Sequence, residues 1–106
     1  MNEYQQFVAD KAQLLMQTME EIGRTNPEVE KVLNAMRTDL QKIILGQEQL
    51  PTRIMRGWSL YFSPDAYNGI YDAYPKLVDE HAELSWVLRH FNMESYLESK
   101  RYLESL

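Results

Sequence analysis

The sequence predicts an all-α protein: a compact bundle of five or six helices, in which a long N-terminal antiparallel helical hairpin is followed by shorter helices. Three observations carry this reading. Apolar residues recur at i, i+3, i+4 and i+7 through two long segments. No segment alternates apolar and polar positions for more than a few residues. Proline, glycine and capping residues divide the remainder into short helical lengths.

Residues 3–23 form the first expected helix. Tyr4, Val8, Ala12, Leu15, Met19 and Ile22 make one stripe, widened by Phe7 and Leu14, with Gln5, Gln6, Gln13, Gln17 and Glu20 opposite. Gly23 is a C-terminal stop. Residues 26–45 form the second. Thr25 with Glu28 is a capping box, and Asn26 before Pro27 is an equally good cap with proline in the first turn. Val29, Val32, Leu33, Met36, Leu40, Ile43 and Ile44 are its apolar face, and Gly46 ends it.

Residues 51–62 are expected as a third helix opened by Pro51, aligning Leu50, Ile54, Trp58 and Tyr61. Ser63-Pro64-Asp65 then restarts a short helix over 64–73: a capping serine, a proline at the first helical position, and an acid that the helix dipole favours. Asn68-Gly69 is a competing turn signal inside it. Pro75 steers Tyr74 out of helical geometry and opens a helix over 75–90, with Leu77, His81, Leu84 and Leu88 aligned. Asn92 caps a last helix, 93–104, in which Met93, Tyr96, Leu97, Lys100 and Leu103 share a side. Leu15, Met36, Leu40, Ile44, Leu84 and Leu88 are expected in the core.

Composition narrows the function. The 106 residues are expected to form a single helical domain, 1–106, with 44% apolar and 25% charged residues. Without cysteine there is no disulfide, thiolate metal site or Cys nucleophile. That absence, and a start with no basic and apolar leader, point to the cytoplasm. No apolar run approaches a membrane span. The net charge of −5 disfavours anionic lipid and nucleic acid. Only residues 47–62, with two basic groups and one acid, run against that trend.

No phosphate loop, nucleophile elbow or dinucleotide fingerprint is present, so neither catalysis nor a cofactor is expected. His81 and His90 fall on opposite sides of their helix and form no metal pair. His81 reads as a hydrogen-bonded core histidine and His90 as a cation at a helix C-terminus. Met16, Met19, Met36 and Met93 read as core filler, with Met55 exposed.

Two features point to binding. Six of the twelve aromatic residues crowd into 58–74: Trp58, Tyr61, Phe62, Tyr67, Tyr71 and Tyr74. The first three are expected in the core. Tyr67, Tyr71 and Tyr74 are spaced i, i+4, i+7, so a helix would place them on one face, edged by Asp65 and Asp72. Such a face either closes the core or contacts a partner, because tyrosine has an apolar body and a polar tip. The leading expectation is a protein that acts by binding another protein of basic character, as an inhibitor, immunity factor, antitoxin or regulator, through Asp65, Tyr67, Tyr71, Asp72 and Tyr74. Asp79, Glu80 and Glu83 would add to its acidity. The alternative is a DNA-binding regulator: residues 39–58 have the outline of a helix-turn-helix with Thr52, Arg53 and Arg56 outward.

Overall fold

The first two predicted helices form, and their ends are closed by the residues that flank them. In the computed structural model, which describes residues 1–106, α1 spans Glu3–Gly23 and α2 spans Pro27–Ile44. Asn2 and Gln5 make a reciprocal capping box: Gln5 N–H donates to Asn2 Oδ1 at 2.8 Å, and Asn2 N–H donates to Gln5 Oε1 at 2.9 Å. At α2 the cap is Asn26 rather than Thr25, its Oδ1 accepting from the N–H groups of Glu28 and Val29. Gly46 ends α2 with φ +70°, and Gln47 N–H returns to Lys42 O at 2.8 Å while Gly46 N–H returns to Ile43 O at 3.0 Å. That pair of bonds is a Schellman closure, which needs the left-handed residue that glycine supplies. Gly23 has a steric role: a Cβ there would sit 3.3 Å from Glu30 Cα, so its small size lets α1 and α2 close into a hairpin.

α1 packs along α2 and also against α4, which spans Pro75–Val87. α3 is a single turn, Ile70–Ala73, and α5 spans Met93–Glu104 behind the predicted Asn92 cap. The molecule measures 38 × 34 × 20 Å, so its thin dimension is about two helix diameters. Twenty buried residues form one apolar cluster, which includes Leu15, Met36, Leu40, Leu84 and Leu88. Ile44 is only partly buried, because it is the last residue of α2 and lies at the cluster's edge. No helix is long and apolar enough to cross a membrane.

The middle of the chain departs from expectation. Residues 51–62 do not make an α-helix; they make two four-residue 3-10 turns, Ile54–Gly57 and Ser59–Phe62. In a 3-10 turn residues i and i+3 eclipse. Met55 therefore falls in with Trp58 and is buried, not exposed, while Phe62 is buried and Tyr61 packs against the cluster. The segment is tied to α4 by Thr52 N–H donating to Leu88 O at 2.9 Å.

The helix expected over 64–73 is also absent. The turn signal wins: Gly69 adopts φ +74°, and Asn68 satisfies both flanks, donating from Nδ2 to Tyr61 O (2.9 Å) and accepting at Oδ1 from Ile70 N–H (3.0 Å). Ser63 Oγ accepts from Asp65 N–H, closing a local turn instead of capping a helix. α4 stops at Val87, short of residue 90. On α5 only Tyr96 is buried and Met93 half-buried; Leu97, Lys100 and Leu103 are exposed, since the helix touches the rest of the protein along a narrow line.

Candidate functional site

The five residues expected to form a binding face do not share a helix. Asp65 and Tyr67 lie in the loop before α3, Tyr71 and Asp72 on α3, and Tyr74 between α3 and α4. Tyr67 is fully exposed and Tyr71 is 44% exposed. Asp65 and Asp72 are exposed, and neither has a cation within salt-bridge distance. Tyr74 belongs to the fold: its ring packs against the core, and its hydroxyl accepts a 2.9 Å hydrogen bond from Nδ2 of Asn26, the α2 cap. The loop between Ser63 and Ala73 thus offers two tyrosines and two unpaired aspartates, with Ile70 as its buried anchor.

The acids that follow on α4 are divided. Asp79 is exposed, Glu83 is half-buried, and the side chain of Glu80 is largely covered. Glu83 lies 3.6 Å from Lys11 Nζ and accepts from Tyr96 Oη at 2.7 Å. Desolvation, followed by this bond to Glu83, pushes the Tyr96 hydroxyl up to about 12. The side chain of Glu80 is only 10% exposed; Lys76 Nζ lies 3.9 Å from it, and no hydrogen bond reaches its buried oxygens.

A second candidate lies on another part of the surface. The 3-10 turns and α4 enclose a groove of about 860 Å³. From α4 it is lined by His81, Ser85 and Arg89, spaced i, i+4, i+8 and therefore on one side, together with Trp86. From the facing segment come Arg53 and Arg56. None of the three arginines has a carboxylate within salt-bridge distance, and no acidic residue lines the groove. His81 forms part of the floor: it is buried, stacks on Phe62 with ring centroids 4.0 Å apart, and its Nε2 lies 3.4 Å from Ser85 Oγ. Burial pulls its pKa from 6.5 to about 4, so the ring is neutral at pH 7.

His90 is not the cation expected at a helix end. It lies beyond α4 with Nδ1 2.9 Å from Ser95 Oγ, and desolvation and the charge of Arg89 lower its pKa. No group of three or more histidines and carboxylates is placed to hold a metal ion. The helix-turn-helix outline fails in its second half. Arg53 precedes a four-residue 3-10 turn and Arg56 lies on it, both lining the groove, where a recognition helix would need a continuous α-helix presented outward. Nothing in the sequence alone marks Arg89, although its i+8 spacing from His81 is readable there. What is not readable is that the arginines of 53–56 fold back beside it. No protein-family model matches the chain, and neither does any curated protein or solved structure.

Proposed function

We propose that the protein acts by binding a protein partner of basic character through the loop between Ser63 and Ala73, as an inhibitor, immunity, antitoxin or regulatory component, with no catalytic step. The observation that carries this reading is the full exposure of Tyr67 beside exposed Tyr71, Asp65 and Asp72. Tyrosine is enriched at interface centres because it buries much area at low entropic cost. The two aspartates have no internal cation, so their charge is available to steer a basic surface. Tyr74 contributes by holding the loop to the α2 cap rather than by contact.

The test is capture of a partner from the native cell by the tagged protein, repeated with two variants. Tyr67→Ala with Tyr71→Ala should weaken binding of the captured protein by about thirtyfold or more, the loss of about 2 kcal/mol typical of central aromatic anchors. Asp65→Lys with Asp72→Lys should slow association and reduce its salt dependence. A partner that binds both variants as tightly as the parent is held elsewhere, and the reading fails.

A further inference from the structure

We infer that the groove between the 3-10 turns and α4 is a binding site for a small phosphate ester, its phosphate held by Arg53, Arg56 and Arg89. The charge balance is the first argument. The chain carries −5, and Lys11, Arg37 and Lys76 each lie beside a carboxylate. Arg24, Lys31, Lys42, Lys100 and Arg101 have no such neighbour and are scattered over the chain, whereas Arg53, Arg56 and Arg89, also without one, line a single groove that holds no acid, though acids outnumber bases 16 to 11 in the sequence. Unpaired guanidiniums gathered at one concave surface repel each other and raise the local potential for an anion.

The chemistry of the donors is the second argument. Guanidinium forks match the tetrahedral oxygens of phosphate in bidentate fashion, and a dianionic phosphate answers three cations better than a single carboxylate does. Ser85 adds a hydroxyl, and the neutral ring of His81 beside it adds a hydrogen-bonding edge without further charge.

Size and lining set the class. A groove of about 860 Å³ far exceeds a bare ion and falls within the range of roughly 300–1,000 Å³ usual for small-molecule sites. Trp86 supplies a flat apolar wall on the α4 side, against which the organic part of an ester would lie. The site is separate from the tyrosine loop: none of Asp65, Tyr67, Tyr71 and Asp72 lines it.

The test is calorimetric titration of the full chain at low salt with five probes: AMP, inorganic pyrophosphate, adenosine, citrate and a single-stranded oligonucleotide. AMP and pyrophosphate should bind, AMP the more tightly, with adenosine and citrate weaker than AMP by at least tenfold. Arg56→Gln combined with Arg89→Gln should weaken AMP binding tenfold or more. Arg24→Gln, at the far end of α1, should leave it unchanged. All three arginines are exposed, so the melting temperature of the variants should match that of the parent. Absence of AMP binding overturns the inference, and so does binding that survives the double change. Citrate binding as tightly as AMP overturns the assignment to phosphate. A single-stranded oligonucleotide that binds better than AMP through the same arginines would replace the small ligand with a nucleic-acid backbone.

Discussion

The α1–α2 hairpin and the segment from Leu45 to Tyr74 bury apolar side chains in different ways. In the hairpin the apolar residues arrive on a 3.6-residue period, and every turn contributes: Val8, Ala12, Leu15 and Met19 on one helix meet Val29, Leu33, Met36 and Leu40 on the other. Backbone hydrogen bonds are satisfied inside each helix, so side chains alone decide the packing. In the second segment a few anchors, Met55, Trp58, Phe62 and Ile70, are buried at irregular intervals. The backbone of the segment is satisfied by short-range bonds within its turns, by side chains such as Asn68, and by the bond from Thr52 to the end of α4. Residues between the anchors are left outside, Leu60 and Tyr67 among them. A regular helix uses its whole inner face for stability. An anchored segment leaves most of its side chains free, and both candidate binding surfaces draw on it.

Three measurements bear on this contrast. The largest effect is expected from the same chemical deletion made in both regions. Leu40→Ala in α2 should cost about 2–5 kcal/mol in urea denaturation, since Leu40 is fully buried and its cavity is walled by two helices. Leu60→Ala, at a side chain 75% exposed, should stay within about 0.5 kcal/mol. Similar losses at the two sites would abolish the distinction.

The next concerns His81, where α4 meets the anchors Trp58 and Phe62. Folded His81 resists protonation until pH about 4, whereas in the unfolded chain it protonates near its ordinary 6.5. The unfolded state therefore binds more protons between these values. The stabilisation is complete above pH 6.5 and is lost as pH falls toward 4, by on the order of 3 kcal/mol at most. His81→Gln should flatten the dependence of unfolding free energy on pH between 7 and 4.5. An unchanged slope would assign the acid sensitivity to other groups.

The smallest effect separates the tyrosines within one segment. Tyr74→Phe removes the acceptor for Asn26 Nδ2 and should cost about 1 kcal/mol. Tyr67→Phe should leave the melting temperature unchanged, because no hydrogen bond or packing partner holds that side chain. If both are neutral, Tyr74 is as free as Tyr67, and the loop is less firmly attached than its bond to Asn26 implies.

Legibility followed the same division. Both hairpin helices, the Asn92 cap and the bounds of α5 could be read directly, because periodicity and capping are local properties of consecutive residues. Core membership was readable for Leu15, Met36, Leu40, Leu84 and Leu88 on the same grounds. Between residues 51 and 74 the local signals conflicted. Ser63-Pro64-Asp65 asked for a helix and Asn68-Gly69 for a turn, and the turn prevailed because the Asn68 side chain found Tyr61 O across the segment. Of the five residues predicted to form a binding face, Tyr67, Tyr71, Asp65 and Asp72 are surface-exposed, and Tyr74 is drawn into the fold by a residue 48 positions away.

The amino-acid sequence by itself determined the all-α class, the hairpin and the helix ends, since these rest on interactions among residues a few positions apart. Only the tertiary structure decided which tyrosines remain free, that Met55 turns inward, and that Arg53 and Arg56 share a groove with Arg89. Those outcomes depend on where the 3-10 turns dock against α4. That docking is set by a few long-range contacts, Thr52 to Leu88 and Phe62 to His81, whose partners no local pattern names.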